Sequence, residues 1–148
     1  MKYFFLLLTV CSLTTYAQSD EEAAKAPILQ FFEGMRKSDS NMIKTSLAPN
    51  AILQTIGKNK EGKTIVRSDD VAKFITAVTQ PHDAVYDERI TFGSIKIDAD
   101  LATVWTPYQF YVGDKFSHCG VNSFQLVKID GAWKIQYIID TRRKEGCL

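Results

Sequence analysis

The sequence predicts an α+β domain, and three observations carry the prediction. Apolar residues at helical spacing dominate the first half, period-two alternation dominates the second, and short Asp/Gly turns divide that second half into long strand segments. Helices followed by a meander imply three helices packed on one face of a strongly curved antiparallel sheet.

The amino terminus comes before that domain. Lys2 precedes an apolar run from Tyr3 to Leu13, and the small residues Thr15 and Ala17 stand just ahead of the polar Gln18. This is the pattern of a secretory leader cleaved after Ala17, and the run falls short of the ~20 apolar residues that span a bilayer. Two rivals remain open: a retained, buried helix, and a lipoprotein acylated at Cys11, against which stand the bulky Val10 and the short apolar segment before the cysteine. The expectation is a leader over residues 1–17 and a single domain over 18–148, exported to the periplasm or the medium, with no membrane association after cleavage.

Removing the leader leaves 131 of the 148 residues, enough for one sizeable core. The net charge of +1 falls to zero with the loss of Lys2, and both signs are interspersed, so no basic face for nucleic acid is expected. The cluster Arg142-Arg143-Lys144 reads as a solvated chain end. Cys119 and Cys147 remain in the domain; an oxidising compartment permits a bridge, but Cys119 falls inside a strand and Cys147 near the chain end, so the reading weighs against it. Neither cysteine has a zinc spacing, and no phosphate loop or Ser/His/Asp constellation appears, so no metal or cofactor is expected.

Ser19 and Glu22 have capping-box spacing, and Ala24, Ile28, Phe31, Phe32 and Met35 follow at helical intervals, predicting a helix over about 21–37. Pro27 sits in its first turn or inside a helix that began earlier. A short second helix over 41–47 carries Met42, Ile43 and Leu47 on one side and stops at Pro49-Asn50. The third has Ser68 as its N-cap, Asp69 and Asp70 at the positive end of the dipole, and Val71, Phe74, Ile75 and Val78 on one face. A short strand over 51–56 and strand segments over 85–97, 101–112, 115–129 and 132–142 complete the chain, the last four separated by Asp98-Ala99-Asp100, Gly113-Asp114 and Asp130-Gly131.

This order, closing on Asp130-Gly131-Ala132-Trp133-Lys134-Ile135 and carrying Asp100-Leu101-Ala102-Thr103-Val104-Trp105 ahead of it, resembles the nuclear transport factor 2-like superfamily. Within it the chain is similar to the small exported lumazine-binding-like or SnoaL-like forms. The resemblance covers about residues 21–142 and implies a cone-shaped fold, with sheet-to-sheet homodimers common. It says little about function, because the fold hosts isomerases, dehydratases, cyclases and adaptors.

Hairpin register turns sequence into facing residues. A two-residue turn at Gly113-Asp114 pairs Trp105 with Asn122 and Gln109 with His118. Trp105, Gln109, His118, Asn122, Phe124 and Leu126 then share one face, joined across the next hairpin by Ile135, Tyr137, Ile139 and Thr141. Phe124, Leu126 and Ile135 would fill the narrow end of a cone, while Trp105, Gln109, His118, Asn122 and Tyr137 would line a ligand-binding mouth with Thr141. The opposite face collects Val104, Thr106, Tyr108, Phe110, Cys119, Val121 and Val127, apolar enough to predict a homodimer, or else cover by the chain's own tail. A one-residue bulge would exchange the faces.

His118 is either a hydrogen-bonded rim residue or an acid/base with an unperturbed pKa of ~6.5. His82, beside Pro81, reads as an ordinary loop residue, and Asp140 as an exposed partner of Arg142. The assigned inner face holds no Asp or Glu, which counts against isomerase-like, dehydratase-like or epoxide-hydrolase-like chemistry. The sequence therefore points to a non-catalytic, homodimeric binding domain for a small apolar or aromatic ligand. The alternatives are a lyase or isomerase using His118, with Asn122 or Tyr137 orienting substrate, and a purely structural dimeric module.

Overall fold

The computed structural model describes the backbone of residues 13–147 and the side chains of residues 20–147. Most of the segment expected to be a leader, with Cys11, lies outside the described residues. The chain runs α1 (Leu13–Arg36), α2 (Ser40–Ser46), β1 (Leu47–Lys58), β2 (Thr64–Asp69), α3 (Val71–Thr79), β3 (Tyr86–Ile90), β4 (Ser94–Asp98), β5 (Leu101–Val112), β6 (Lys115–Ile129) and β7 (Ala132–Arg143). The three helices and the curved sheet of the expected α+β fold are present, and the last three strands have the expected limits to within a residue.

The helices start elsewhere than the sequence suggested. Ser19 lies inside α1 rather than at its cap, and Pro27 therefore sits in the helix interior. Asp39 caps α2, accepting from the backbone N–H groups of Asn41 and Met42 at 2.9 and 3.0 Å. Asp70, not Ser68, caps α3 through the Lys73 N–H at 2.8 Å, because Ser68 is the penultimate residue of β2. A carboxylate at that position also suits the helix dipole.

The sheet order is β2-β1-β7-β6-β5-β3, with β4 pairing the rest of β5. One ladder departs from the expected antiparallel sheet: β1 runs parallel to β7, which makes the sheet mixed. Strand β2 has no counterpart in the sequence reading; it pairs β1 from the exposed edge, and its Thr-Ile-Val-Arg-Ser-Asp carries little apolar signal. The 85–97 segment is two strands, both laid along β5, interrupted at Thr91-Phe92-Gly93.

Two bulges decide which residues face the helices. Tyr111 pairs with Phe116 as the Gly113-Asp114 turn dictates, but Phe110 pairs with His118, leaving Ser117 as an extra residue in β6. Every pair beyond it is shifted by one, so Trp105 faces Ser123 and Thr106 faces Asn122. In β7 the extra residue is Gln136, since Leu126 faces Ile135 but Gln125 faces Tyr137. The inner face therefore carries Val104, Thr106, Tyr108 and Phe110 on β5, not on the dimer face where parity from the turn placed them. It keeps His118, Asn122, Phe124 and Leu126 on β6, and changes from Ile135 to Ile138 and Asp140 on β7.

Packing follows this face. Phe124, Leu126 and Ile135 are fully buried at the closed end of the sheet, as expected. Phe31 meets Phe32 edge-on at 5.4 Å and stacks on Phe74 of α3 at 5.7 Å, while Phe32 meets Phe124 edge-on at 6.0 Å. Among the described residues no helix is long and apolar enough to cross a membrane.

Cys119 and Cys147 form a disulfide, against the weight of the sequence reading. Cys119 lies directly opposite Arg143 in the β6–β7 ladder, so the tail needs only a tight turn to return four residues later. Gly146 supplies the left-handed backbone for that turn, and the Arg143 guanidinium donates to its carbonyl oxygen.

Candidate functional site

A cavity of about 330 Å³ opens between the inner sheet face and helices α1 and α3. Phe31, Phe32 and Met35 from α1, Phe74 and Val78 from α3, and Leu53 and Ile138 from the sheet make its apolar wall. Glu88, Asn122, His118, Gln54, Thr55, Asp69 and Arg142 are among the polar residues that line it. Two large helical rings stacked on each other and a curved sheet beneath them keep the space from collapsing, because the aromatic pair is already packed edge to face with its neighbours.

Of the five residues the sequence assigned to a pocket, His118 and Asn122 line this cavity. The Ser117 bulge turns Trp105 and Gln109 to the other face: Trp105 is 48% exposed, and Gln109 borders an outer cleft with Arg89, Pro107 and Arg143. The Gln136 bulge does the same to Tyr137, whose hydroxyl donates to Gln54 Oε1 at 2.6 Å. Asp140 makes the reverse journey. Instead of an exposed partner it is 7% exposed on the inner face, and its Oδ2 accepts from the Tyr108 hydroxyl at 3.2 Å and from Arg142 Nε at 2.9 Å. Its Oδ1 is buried without a partner among the described residues.

Glu88 is the residue sequence reasoning missed. It stands in the middle of β3 between Tyr86 and Ile90, on the same face by alternation, and Asn122 Nδ2 donates to its Oε1 at 2.8 Å. The clue lay in that alternation: Tyr86, Glu88 and Ile90 form an apolar stripe with one carboxyl at its centre, while Asp87 and Arg89 pair with each other at 2.7 Å. The inner face thus holds the carboxyls of Glu88, Asp140 and, at its β2 edge, Asp69, which corrects the expectation that it carries no Asp or Glu. Burial pushes the Glu88 carboxyl up to about 7, with the nearby Asp140 charge adding and the Asn122 hydrogen bond opposing. Glu88 is half-buried and lines the cavity.

Tyr108 reaches Asp140 across an intervening strand, and Gly120 explains how. Gly120 lies opposite Tyr108 in the ladder, and a Cβ there would sit 2.7 Å from the Tyr108 ring and closer still to the Thr141 carbonyl oxygen. The bare backbone lets the ring pass over β6 to β7, where its hydroxyl also donates to the Thr141 carbonyl at 3.0 Å. Burial raises the Tyr108 pKa, with the Asp140 charge in support, so the phenol stays a donor. Replacing Gly120 with Ala should cost about 2 kcal/mol of stability through overpacking, read in urea unfolding. Unchanged stability would mean the ring does not cross there.

His118 sits beside this network rather than in it. Its Nδ1 lies 3.0 Å from Ser117 Oγ, and its ring packs at 5.0 Å on Phe110 and 5.7 Å on Tyr108. Burial lowers its pKa, and the Arg142 charge lowers it further, so the ring is largely neutral at pH 7. Arg142, half exposed, ties Asp140 to β1 by a 3.3 Å contact from Nη2 to Thr55 Oγ1. His82 stacks on Tyr86 at 4.3 Å and meets Ser38 Oγ at 3.3 Å. Among the described residues no group of three His, Cys, Asp or Glu is placed to hold a metal ion.

Comparison with known proteins agrees with this architecture. The family model described as "Putative lumazine-binding" matches residues 19–137. A conserved protein from Planctomyces limnophilus is 17% identical, with 85% of this chain and 98% of that one covered and a TM-score of 0.70. A nuclear transport factor 2-like protein with a cystatin-like fold from Novosphingobium aromaticivorans is 10% identical over 93% and 94% of the two chains, also with a TM-score of 0.70. A nuclear transport factor 2-like protein of unknown function from Shewanella baltica is 15% identical over 88% and 98%, with a TM-score of 0.65. No protein with a curated description matches. At these identities the solved structures speak for the fold alone, which is that of nuclear transport factor 2-like proteins, and the family model carries membership: the chain belongs to the family described as "Putative lumazine-binding".

Proposed function

We propose that the protein is an exported domain that binds a small, partly aromatic or apolar molecule in the cavity beneath α1 and α3. The observation that carries this reading is a space of about 330 Å³ whose wall is aromatic and aliphatic and which the Glu88–Asn122 pair borders. That is the size and composition of a small-molecule site, where apolar walls supply affinity and a few polar groups fix orientation. The family description names a bicyclic heteroaromatic compound, which belongs to the same chemical class. A ligand present at a hundred times its Kd stabilises the fold by about 2.7 kcal/mol. A thermal-shift screen of monocyclic and bicyclic aromatic compounds should therefore yield compounds that raise the Tm of the wild type but not of a Val78→Trp variant, whose indole fills the cavity. Compounds that raise both equally would place binding elsewhere and defeat the reading.

A second reading, a lyase or isomerase, is favoured by one specific observation: a carboxyl with a pKa near neutrality faces the cavity. In that case Glu88 rather than His118 is the acid/base, since among the described residues no carboxylate hydrogen-bonds His118 to orient it. An enzyme would lose ~10²–10⁴-fold of its turnover in Glu88→Gln, whereas a binding domain would keep its ligand.

Homodimerisation belongs to the same proposal, on a revised surface. The outer face now presents Leu101 and Trp105, each 48% exposed, with Val121, Val127 and Ile139 half-buried beside them. An outer sheet face with these exposed apolar side chains suits a second copy of the chain. Trp105→Glu should shift sedimentation at tens of micromolar from dimer to monomer. A wild type that sediments as a monomer at that concentration would end the idea.

A further inference from the structure

We propose that the ligand carries a carboxyl group, and that it binds as an acid–carboxylate pair with Glu88 beside Arg142, taking up one proton as it enters. The inference rests on the cavity reading above and deepens it. Glu88 Oε1 is engaged by Asn122, and Oε2 has no partner among the described residues. Arg142 uses Nε on Asp140 and Nη2 on Thr55, and its Nη1 has no partner among the described residues. A carboxyl between them would share a proton with Glu88 Oε2 and accept from the guanidinium. Its apolar body would lie against Phe31, Phe74 and Val78.

The charges give the proton its direction. Asp140 and Arg142 offset one another, being hydrogen-bonded at 2.9 Å. Glu88 is therefore the uncompensated group in a mostly apolar space, and a second carboxylate cannot join it unless one of the two is neutral. The step balances simply: a ligand carboxylate and an ionised Glu88 take one proton from solvent and hold it between two oxygens. The other groups facing Glu88 do not supply it. Tyr86 lies on its own strand, Tyr108 on β5 stays protonated, His118 on β6 is largely neutral, Asp69 on β2 is exposed, and α1 and α3 contribute only apolar side chains to the cavity. The raised pKa of Glu88 agrees with this, since it leaves the group mostly ionised at pH 8 and ready to accept a proton.

The test is calorimetric titration of 2-naphthoate into the full protein at pH 8 in phosphate and in Tris, whose ionisation enthalpies differ. The expected result is uptake of close to one proton per ligand, and affinity falling about ten-fold per pH unit above pH 7.5. Glu88→Gln, which keeps an acceptor for Asn122, should bind 2-naphthoate with little proton uptake and no such pH dependence. Arg142→Met should weaken 2-naphthoate by roughly ten-fold more than it weakens 2-naphthamide. Binding of 2-naphthoate to the wild type without proton uptake overturns the inference, and so does uptake that persists in Glu88→Gln, which would move the proton to His118. Binding of 2-naphthamide but not 2-naphthoate also overturns it while leaving the cavity reading intact; binding of neither probe counts against both.

Discussion

Glu88→Gln should stabilise the protein by about 3 kcal/mol at pH 9 and leave its stability nearly unchanged at pH 4. Burial raises the Glu88 carboxyl from 4.5 to about 7, so the folded state holds this proton more tightly than the unfolded chain does. Such a group contributes stability that is fully present below pH 4.5 and is lost as pH rises to 7, because keeping it ionised inside the cavity costs about 1.4 kcal/mol per pH unit over that window. Above pH 7 the cost is constant. The glutamine variant lacks the titration and keeps an oxygen for Asn122, so the difference between the two proteins should open between pH 4.5 and 7 and then stay level. Urea unfolding at pH 4, 6 and 9 measures it. A difference that does not change with pH would show that Glu88 is not held in an apolar setting.

Reduction of the Cys119–Cys147 bridge should lower stability by about 3.5 kcal/mol. The cysteines are 28 residues apart; closing a loop of that length removes about this much conformational entropy from the unfolded chain. For a domain of this size the Tm should fall by on the order of 10 °C. The same bond bears on export, since such bridges persist in oxidising compartments. Exported protein should have an intact mass beginning at Gln18 and no thiol open to alkylation before reduction. Urea curves that superpose with and without reductant would contradict the stability claim, and a mass retaining Met1 would contradict the leader.

Some of this was legible in the sequence and some was not, for physical reasons. Strands β5–β7 carry strong periodicity between clear turns, and their limits came out nearly as expected, while helix α3 was found from its apolar face but begins two residues later than a Ser68 cap would start it. Phe124, Leu126 and Ile135 were placed correctly because they lie on the turn side of the bulge at Gln136 or on the strand that sets the frame. The bulges at Ser117 and Gln136 have no such signature. Each is one polar residue among alternating neighbours, yet each moves every later side chain across the sheet. Trp105, Gln109 and Tyr137 left the cavity for that reason, and Tyr108 and Asp140 entered it. Glu88 carried only the local alternation with Tyr86 and Ile90 as a signal: β3 is joined to β5 through the intervening β4, so no hairpin fixes its register from sequence. The disulfide depended on Cys119 facing Arg143, a pairing visible only once the β7 register is known.

The most direct test of the central claim, that a ligand binds beneath the helices and not on the outer face, is a side-chain NMR titration with 2-naphthoate. The Met35 methyl, the Asn122 side-chain amide and the Glu88 carboxyl should shift together and saturate with one affinity, while the Trp105 indole N–H stays in place. A titration in which the Trp105 indole moves and the Met35 methyl does not would contradict the account.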